Sequence, residues 1–140
     1  MKSHFLFKPG EWVGEGEVSF SFSPDKLPFK VQWVIYDESQ GAICSVQTVR
    51  IEGQEQMVNA FKSIYKEDDR FDITLENADL GSFQGTGLFL ENSIAWEFHY
   101  PGILEGYEIY ERTSDKEYTL RAEYCGEDVR TIIVGHLHRK

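Results

Sequence analysis

The sequence lacks long hydrophobic runs, cysteine pairs and an excess of basic residues, and each absence excludes a class of protein. No window approaches the roughly 18 apolar residues of a membrane-spanning helix. The N-terminal residues show neither the apolar core nor the small-residue cleavage site of a secretory signal. The two cysteines, Cys44 and Cys125, form no CxxC pair, which predicts ordinary thiols in a reducing compartment. We therefore expect a cytoplasmic protein.

Basic residues are few compared with acidic ones. The 140 residues include 14 Lys and Arg against 24 Asp and Glu, so the formal net charge is −10. A phosphate backbone or an anionic lipid surface repels such a chain. The longest basic cluster is Arg139-Lys140. This balance argues against nucleic-acid and membrane partners.

Alternation of apolar and polar residues dominates the chain from residue 12 onward and predicts β-strands. Between Trp12 and Phe22, the even positions are apolar or glycine and the odd positions are mostly polar. One face of such a strand is buried and the other is solvated. The nine predicted strands are Trp12–Phe22, Phe29–Asp37, Ala42–Glu52, Arg70–Asn77, Ser82–Leu90, Ser93–Tyr100, Gly106–Thr113, Glu117–Cys125 and Val129–His138.

The stretch 54–69 fits two structures. Met57, Phe61 and Tyr65 share one face of a strand, and together with Val58 and Ile64 they also share one face of a helix. We favour a strand, because every neighbouring segment is a strand and a barrel needs continuous pairing. An amphipathic helix that caps the barrel is the alternative.

The even spacing of these strands predicts the architecture. No strand–helix–strand alternation occurs, which argues against a parallel sheet and favours a barrel or a sandwich. Tight connections favour one all-β domain over residues 1–140, an antiparallel up-and-down barrel of nine to ten strands.

The opening Gly10-x-Trp12-x-Gly14-x-Gly16 resembles that of calycin superfamily barrels, which include lipocalins, fatty-acid-binding proteins and nitrobindin-like proteins. The resemblance implies that Trp12 closes one end of the barrel. It also implies that a basic residue of the last strand packs across the indole, and Arg139 is the best match. A guanidinium on an indole is favoured by stacking and by cation–π attraction.

The predicted lumen is rich in large apolar and aromatic side chains, which fits a small, mostly apolar or aromatic ligand held without catalysis. Candidates for a buried polar anchor are Gln32, Gln47, Arg50 and Arg130. A lumen filled by Trp33, Trp96 and Phe98 would argue against a carrier. The predicted ligand-binding residues are Phe20, Phe22, Val31, Trp33, Ile35, Phe71, Trp96, Phe98, Tyr118 and Tyr124.

Three other functions stay open. A ligand-free barrel could serve as a protein-interaction module with its acidic outer face as the contact surface, and a homodimer is one such assembly. His136 and His138 share one strand face, and the nitrobindin-like resemblance makes His136 a weak candidate for a haem ligand, although surface histidines are the simpler interpretation. A barrel-type isomerase or cyclase is the third. We predict no catalytic residue, no metal and no cofactor.

Overall fold

The computed structural model describes residues 4–37 and 41–140 and forms a closed antiparallel barrel. A short 3-10 helix, Phe5–Phe7, precedes the strands. No helix in the described ranges is long and apolar enough to cross a membrane. The ten strands are β1 Gly10–Phe20, β2 Lys26–Asp37, β3 Ala42–Ile51, β4 Met57–Tyr65, β5 Arg70–Asn77, β6 Gly81–Phe89, β7 Ser93–Tyr100, β8 Leu104–Ser114, β9 Glu117–Cys125 and β10 Arg130–Arg139.

The topology is the predicted up-and-down barrel. Each strand pairs with its neighbours along the chain, and β1 pairs with β10 to close the sheet. Closure pairs both edges of every strand and removes the free edges that an open sheet exposes. The all-β prediction is confirmed.

The ambiguous stretch contains a strand, so the helix alternative is wrong. β4 pairs with β3 on one side and with β5 on the other. Its burial alternates, with Asn59, Phe61 and Ser63 inside and their neighbours outside. A helix here would leave the facing edges of β3 and β5 without partners, which decides the structure against the helical periodicity.

Glycine permits close packing at two points of the wall. A Cβ on Gly16 would lie 2.1 Å from the carbonyl oxygen of Val134, on the neighbouring strand β10. A Cβ on Gly87 would lie 2.1 Å from the ring of Phe71, whose side chain crosses the inner face of β6. Both positions therefore require the absence of a side chain.

The two ends of the barrel differ. We call the end with the turns after β1, β3, β5, β7 and β9 the open end, and the opposite end the closed end. The N-terminal segment 4–7, the stopper, is buried at the closed end. The Phe7 ring packs edge-on against Phe71 and Phe89, with centroid distances of 5.2 and 4.8 Å.

Phe5 is the centre of the stopper. Its ring lies 5.0 Å from that of Tyr110, 5.2 Å from Tyr118, 5.5 Å from Trp33 and 5.8 Å from Trp12. These tilted and edge-on contacts are favourable aromatic geometries. Trp12 therefore lies next to the stopper, with the Phe5 ring packed on it.

His4 fixes the stopper through hydrogen bonds. Its Nε2 lies 2.9 Å from the carbonyl oxygen of Leu90, so Nε2 carries the proton and donates. Nδ1 then accepts, from the Arg112 guanidinium at 2.9 Å and the Tyr118 hydroxyl at 3.0 Å. Burial lowers the pKa of His4 from its ordinary value, and the nearby positive charge of Arg112 acts in the same direction. The fold therefore favours the neutral imidazole.

Candidate functional site

A cavity of about 340 Å³ occupies the open half of the barrel. Gln54, Met57 and Leu80 lie at its mouth, and their side chains are exposed. Its wall is mostly apolar. Valine, leucine and isoleucine side chains from seven strands line it, namely Val18, Val31, Val49, Ile51, Leu75, Leu104, Leu120 and Ile133.

A buried carboxyl group, that of Glu108, lies on the cavity wall between two tyrosines. The Tyr124 hydroxyl donates to Oε2 at 2.5 Å, and the Tyr110 hydroxyl donates to Oε1 at 2.7 Å. Both tyrosines also line the cavity. Two short bonds from rigid phenols hold the carboxyl in one orientation. We call these three residues the Glu108 cluster.

Burial raises the pKa values of all three residues of the Glu108 cluster. Desolvation raises the pKa of Glu108 from its ordinary value of 4.5, and hydrogen bonds from Tyr124 and Tyr110 oppose that rise. Desolvation also raises the pKa of both tyrosines well above 10.0, and the adjacent carboxylate adds to the shift. Both hydroxyls therefore keep their protons and remain donors at neutral pH.

An aromatic layer lies behind the Glu108 cluster. The Trp96 ring stacks on Tyr110, with centroids 5.1 Å apart and planes at 22°. Trp33 stacks on Phe61 at 5.2 Å. The Trp96 indole N–H also opposes the rise in the pKa of Glu108, although it has no acceptor in hydrogen-bond geometry. This layer separates the cavity from the stopper.

A chain of amides crosses β3, β4 and β5 on the inner face. The Asn77 amide donates to Asn59 at 2.7 Å, and the Asn59 amide donates to Gln47 at 2.9 Å. Backbone N–H groups of Asp79 and Leu80 donate to Asn77 in turn. The chain ends at Gln47, which lines the cavity together with Asn59.

The charges in the cavity are of one sign. No lysine, arginine or histidine lines it among the described residues, and Glu108 is its one carboxyl group. A lumen of this kind offers an anionic ligand no cationic partner.

The predicted lumen residues lie in three places. Phe20, Val31 and Tyr124 line the cavity. β1 ends at Phe20, where Ser23 N–H closes a turn onto the Phe20 carbonyl, so Phe22 lies beyond the strand. Phe22 is 70% exposed and stacks on Phe20 at the rim, outside the lumen. The other predicted residues are buried but fill the interior away from the cavity, namely Trp33, Ile35, Phe71, Trp96, Phe98 and Tyr118.

Trp12 and Arg139 are paired across β1 and β10. Trp12 is buried, and the side chain of Arg139 is exposed. At this end of the barrel Arg112 lies over an aromatic ring, with its guanidinium carbon 5.8 Å from the centre of Tyr118. Stacking of Arg139 on Trp12 stays a prediction.

His136 lies on the outer face of the barrel. Its Nε2 is 3.8 Å from a carboxylate oxygen of Glu15, and its ring stacks on His138. A haem group inside the lumen is therefore out of its reach. The described residues contain no group of three or more potential metal ligands. Of the four polar anchor candidates, Gln47 faces the cavity, whereas Arg50 and Arg130 are exposed and Gln32 lies on an outer groove.

Glu108 was missed by the sequence interpretation, although the sequence contained a signal for it. The predicted β8–β9 hairpin turns at residues 114–116, which pairs Glu108 with Ala122. Residues directly opposite each other in an antiparallel pair point to the same side. Since Ala122 follows Tyr118 and Leu120 on the predicted inner face, Glu108 had to point inward as well.

No family model and no curated protein matches the chain. Solved structures do. Rv2717c from M. tuberculosis aligns with a TM-score of 0.67 and 14% identity over 94% of this chain and 92% of that one. The S-type phycobiliprotein lyase CPES from Guillardia theta aligns with a TM-score of 0.69 and 11% identity over 95% of this chain and 88% of that one. EF1p2_mFAP2b bound to DFHBI aligns with a TM-score of 0.54 and 18% identity over 94% of this chain and 93% of that one. The chain shares the fold of these barrels.

Proposed function

We propose that this protein is a calycin-type binding protein that holds a small, largely apolar molecule in the open half of its barrel. The observation that carries the proposal is the combination of an apolar cavity with a buried, fixed polar group, the Glu108 cluster, on its wall. Ligand sites typically combine an apolar wall with a few well-placed polar groups.

The size of the cavity limits the ligand. Ligand pockets span roughly 300–1,000 Å³, and this cavity of about 340 Å³ is at the small end of that range. A ligand of one or a few rings fits such a volume better than a long lipid. Tyr124, Phe20 and Phe61 provide flat surfaces on which rings can pack.

The shared fold supports the proposal. EF1p2_mFAP2b is a barrel of similar fold with DFHBI bound. The calycin assignment is supported by the burial of Trp12 at the closed end and by its pairing with the last strand. Fold similarity alone does not give a function, so the cavity remains the main support.

A matched pair of substitutions tests the proposal. Ala122→Phe fills the cavity from β9, whereas Ala95→Phe adds the same ring to the outer face of β7. We expect N-phenyl-1-naphthylamine to bind the wild-type protein and Ala95→Phe at one site per barrel, with blue-shifted emission. Ala122→Phe should weaken its binding at least tenfold. Ile133→Phe serves as a second cavity-filling variant if Ala122→Phe does not fold by circular dichroism. Unchanged binding by a folded cavity-filling variant would refute lumen binding.

A further inference from the structure

Resting on the proposed function, we propose that the lumen selects ligands that carry a basic nitrogen, an amine or amidine on an apolar body, whose N–H groups donate to the Glu108 carboxylate. The proposal concerns the chemical class of the ligand. Its basis is the type, number and arrangement of the polar groups that line the cavity.

The first support is the charge of the cavity. Glu108 is its one ionisable carboxyl group, and no cationic side chain lines it within the described part of the chain. An anionic ligand would place a second negative charge close to Glu108 in a low-dielectric interior, where repulsion between like charges is strong. A cationic ligand would meet an opposite charge there. The net charge of −10 adds a long-range attraction for cations.

The second support is the unused acceptor capacity of Glu108. An ionised carboxylate offers about four acceptor sites on its two oxygens. Tyr110 occupies one site on Oε1 and Tyr124 one site on Oε2, and the Trp96 indole N–H, which also favours the ionised carboxyl, takes at most one more. The remaining sites can accept from a ligand, whereas the protonated tyrosines already donate to the carboxylate. The cluster is therefore arranged to accept hydrogen bonds from a ligand.

The third support is preorganisation. Tyr110 is fully buried, stacked on Trp96, and in contact with Phe5 of the stopper. Its hydroxyl therefore holds one oxygen of Glu108 in place before any ligand arrives. Preorganised groups strengthen binding because less ordering is lost when the ligand enters.

Proton release is a consequence of this arrangement. Burial raises the pKa of Glu108, and a cation beside the carboxylate lowers it again. A bound amine therefore drives a proton from any Glu108 that is protonated in the free protein. A neutral ligand of the same shape has no such effect.

Three ligands with one apolar body provide the test: 2-naphthylmethylamine, 2-naphthylmethanol and 2-naphthylacetate. Each competes with N-phenyl-1-naphthylamine for the wild-type protein at pH 7.5. We expect the amine to bind on the order of 10- to 100-fold more tightly than the alcohol, the range for hydrogen bonds to charged groups. Of the three ligands, 2-naphthylacetate should bind most weakly. Calorimetry in two buffers of different ionisation enthalpy, at a pH near the Glu108 transition, should show proton release for the amine alone.

Two variants make the outcome specific. Glu108→Gln should reduce the affinity for the amine to that for the alcohol and leave the alcohol nearly unchanged. Glu97→Gln, on the exposed outer face of β7, should preserve the preference for the amine. The inference is overturned if 2-naphthylacetate binds as tightly as 2-naphthylmethylamine, or if Glu108→Gln still prefers the amine to the alcohol. If neither the probe nor any of the three ligands binds the wild type, the proposed function itself fails.

Discussion

Glu108 is a residue whose burial costs stability. An ionised carboxylate loses its hydration inside the barrel, and the two tyrosine hydroxyls replace only part of it. An apolar residue at this position would avoid that cost. A buried charge with fixed partners on a cavity wall is typical of a functional position.

The pH dependence of stability tests this interpretation. Because the pKa of Glu108 is raised above 4.5 in the folded state, the folded protein binds this proton more tightly than the unfolded chain does. Its contribution is therefore fully favourable below about pH 4.5 and is lost as the pH rises through the folded pKa. Glu108→Gln does not titrate. We expect the free energy of unfolding of Glu108→Gln, relative to wild type, to increase between pH 4 and pH 8 in urea titrations. A difference that falls with pH would show that the charged form is the favoured one.

Single residues also show where sequence reasoning ended. Alternation placed Trp33 and Trp96 inside, and both are buried. Alternation did not show that Phe22 lies past the end of β1, because the turn that ends the strand depends on a backbone hydrogen bond. Glu108 required cross-strand register in addition to alternation within one strand. Patterns within a strand predict its faces, whereas cavities depend on which side chains meet across the lumen.

At the scale of elements, β6 depends on its glycines. The ring of Phe71 lies over Gly87, where a side chain would otherwise project. This contact allows β5 to place a large ring inside the wall. The packing between β5 and β6 therefore depends on a complementary pair, a glycine on one strand and a phenylalanine on the other.

Gly87→Ala should destabilise the barrel. The new Cβ would lie 2.1 Å from the Phe71 ring, so the ring or the strand must move. Overpacking of this kind costs about 1–3 kcal/mol of unfolding free energy. Gly126→Ala is the control, because its Cβ would meet its nearest neighbour at 3.8 Å without a positive φ. Equal urea midpoints for the two variants would rule out the steric role of Gly87.

Most elements could be predicted from the sequence, and the exceptions have a physical cause. Strands of eight or more residues give a clear period of two. Residues 57–65 gave two periods, and pairing with β3 and β5 decided between them. The stopper, at residues 4–7, is too short for any period. Its position depends on the aromatic rings that surround it, which come from distant parts of the chain.

At the scale of the whole molecule, the two halves of the barrel differ in their interior, which is packed in one half and contains a cavity in the other. The closed half contains the stopper and its ring contacts, which stabilise the fold. The open half contains the cavity. Substitutions in the two halves should therefore have separable effects.

A crossed pair of phenylalanine substitutions tests this separation. Phe7 packs on Phe71 and Phe89, none of which lines the cavity. Phe7→Ala should lower the free energy of unfolding by about 3–5 kcal/mol and leave the affinity for N-phenyl-1-naphthylamine unchanged. Phe20→Ala, at the cavity rim, should weaken probe binding more than Phe7→Ala does, and it should lower the free energy of unfolding less. Similar effects of both variants on affinity would show that the halves are coupled.

The stopper has a kinetic consequence for a ligand of this lumen. Within the described residues one end is blocked by Phe5 and its neighbours, so arrival and departure share the mouth at the open end. Anything that covers the mouth without touching the bound ligand slows both rates by the same factor and leaves the equilibrium unchanged. A molecule that docks at this rim would therefore control how long the ligand stays and how fast it arrives, but not how tightly it is held.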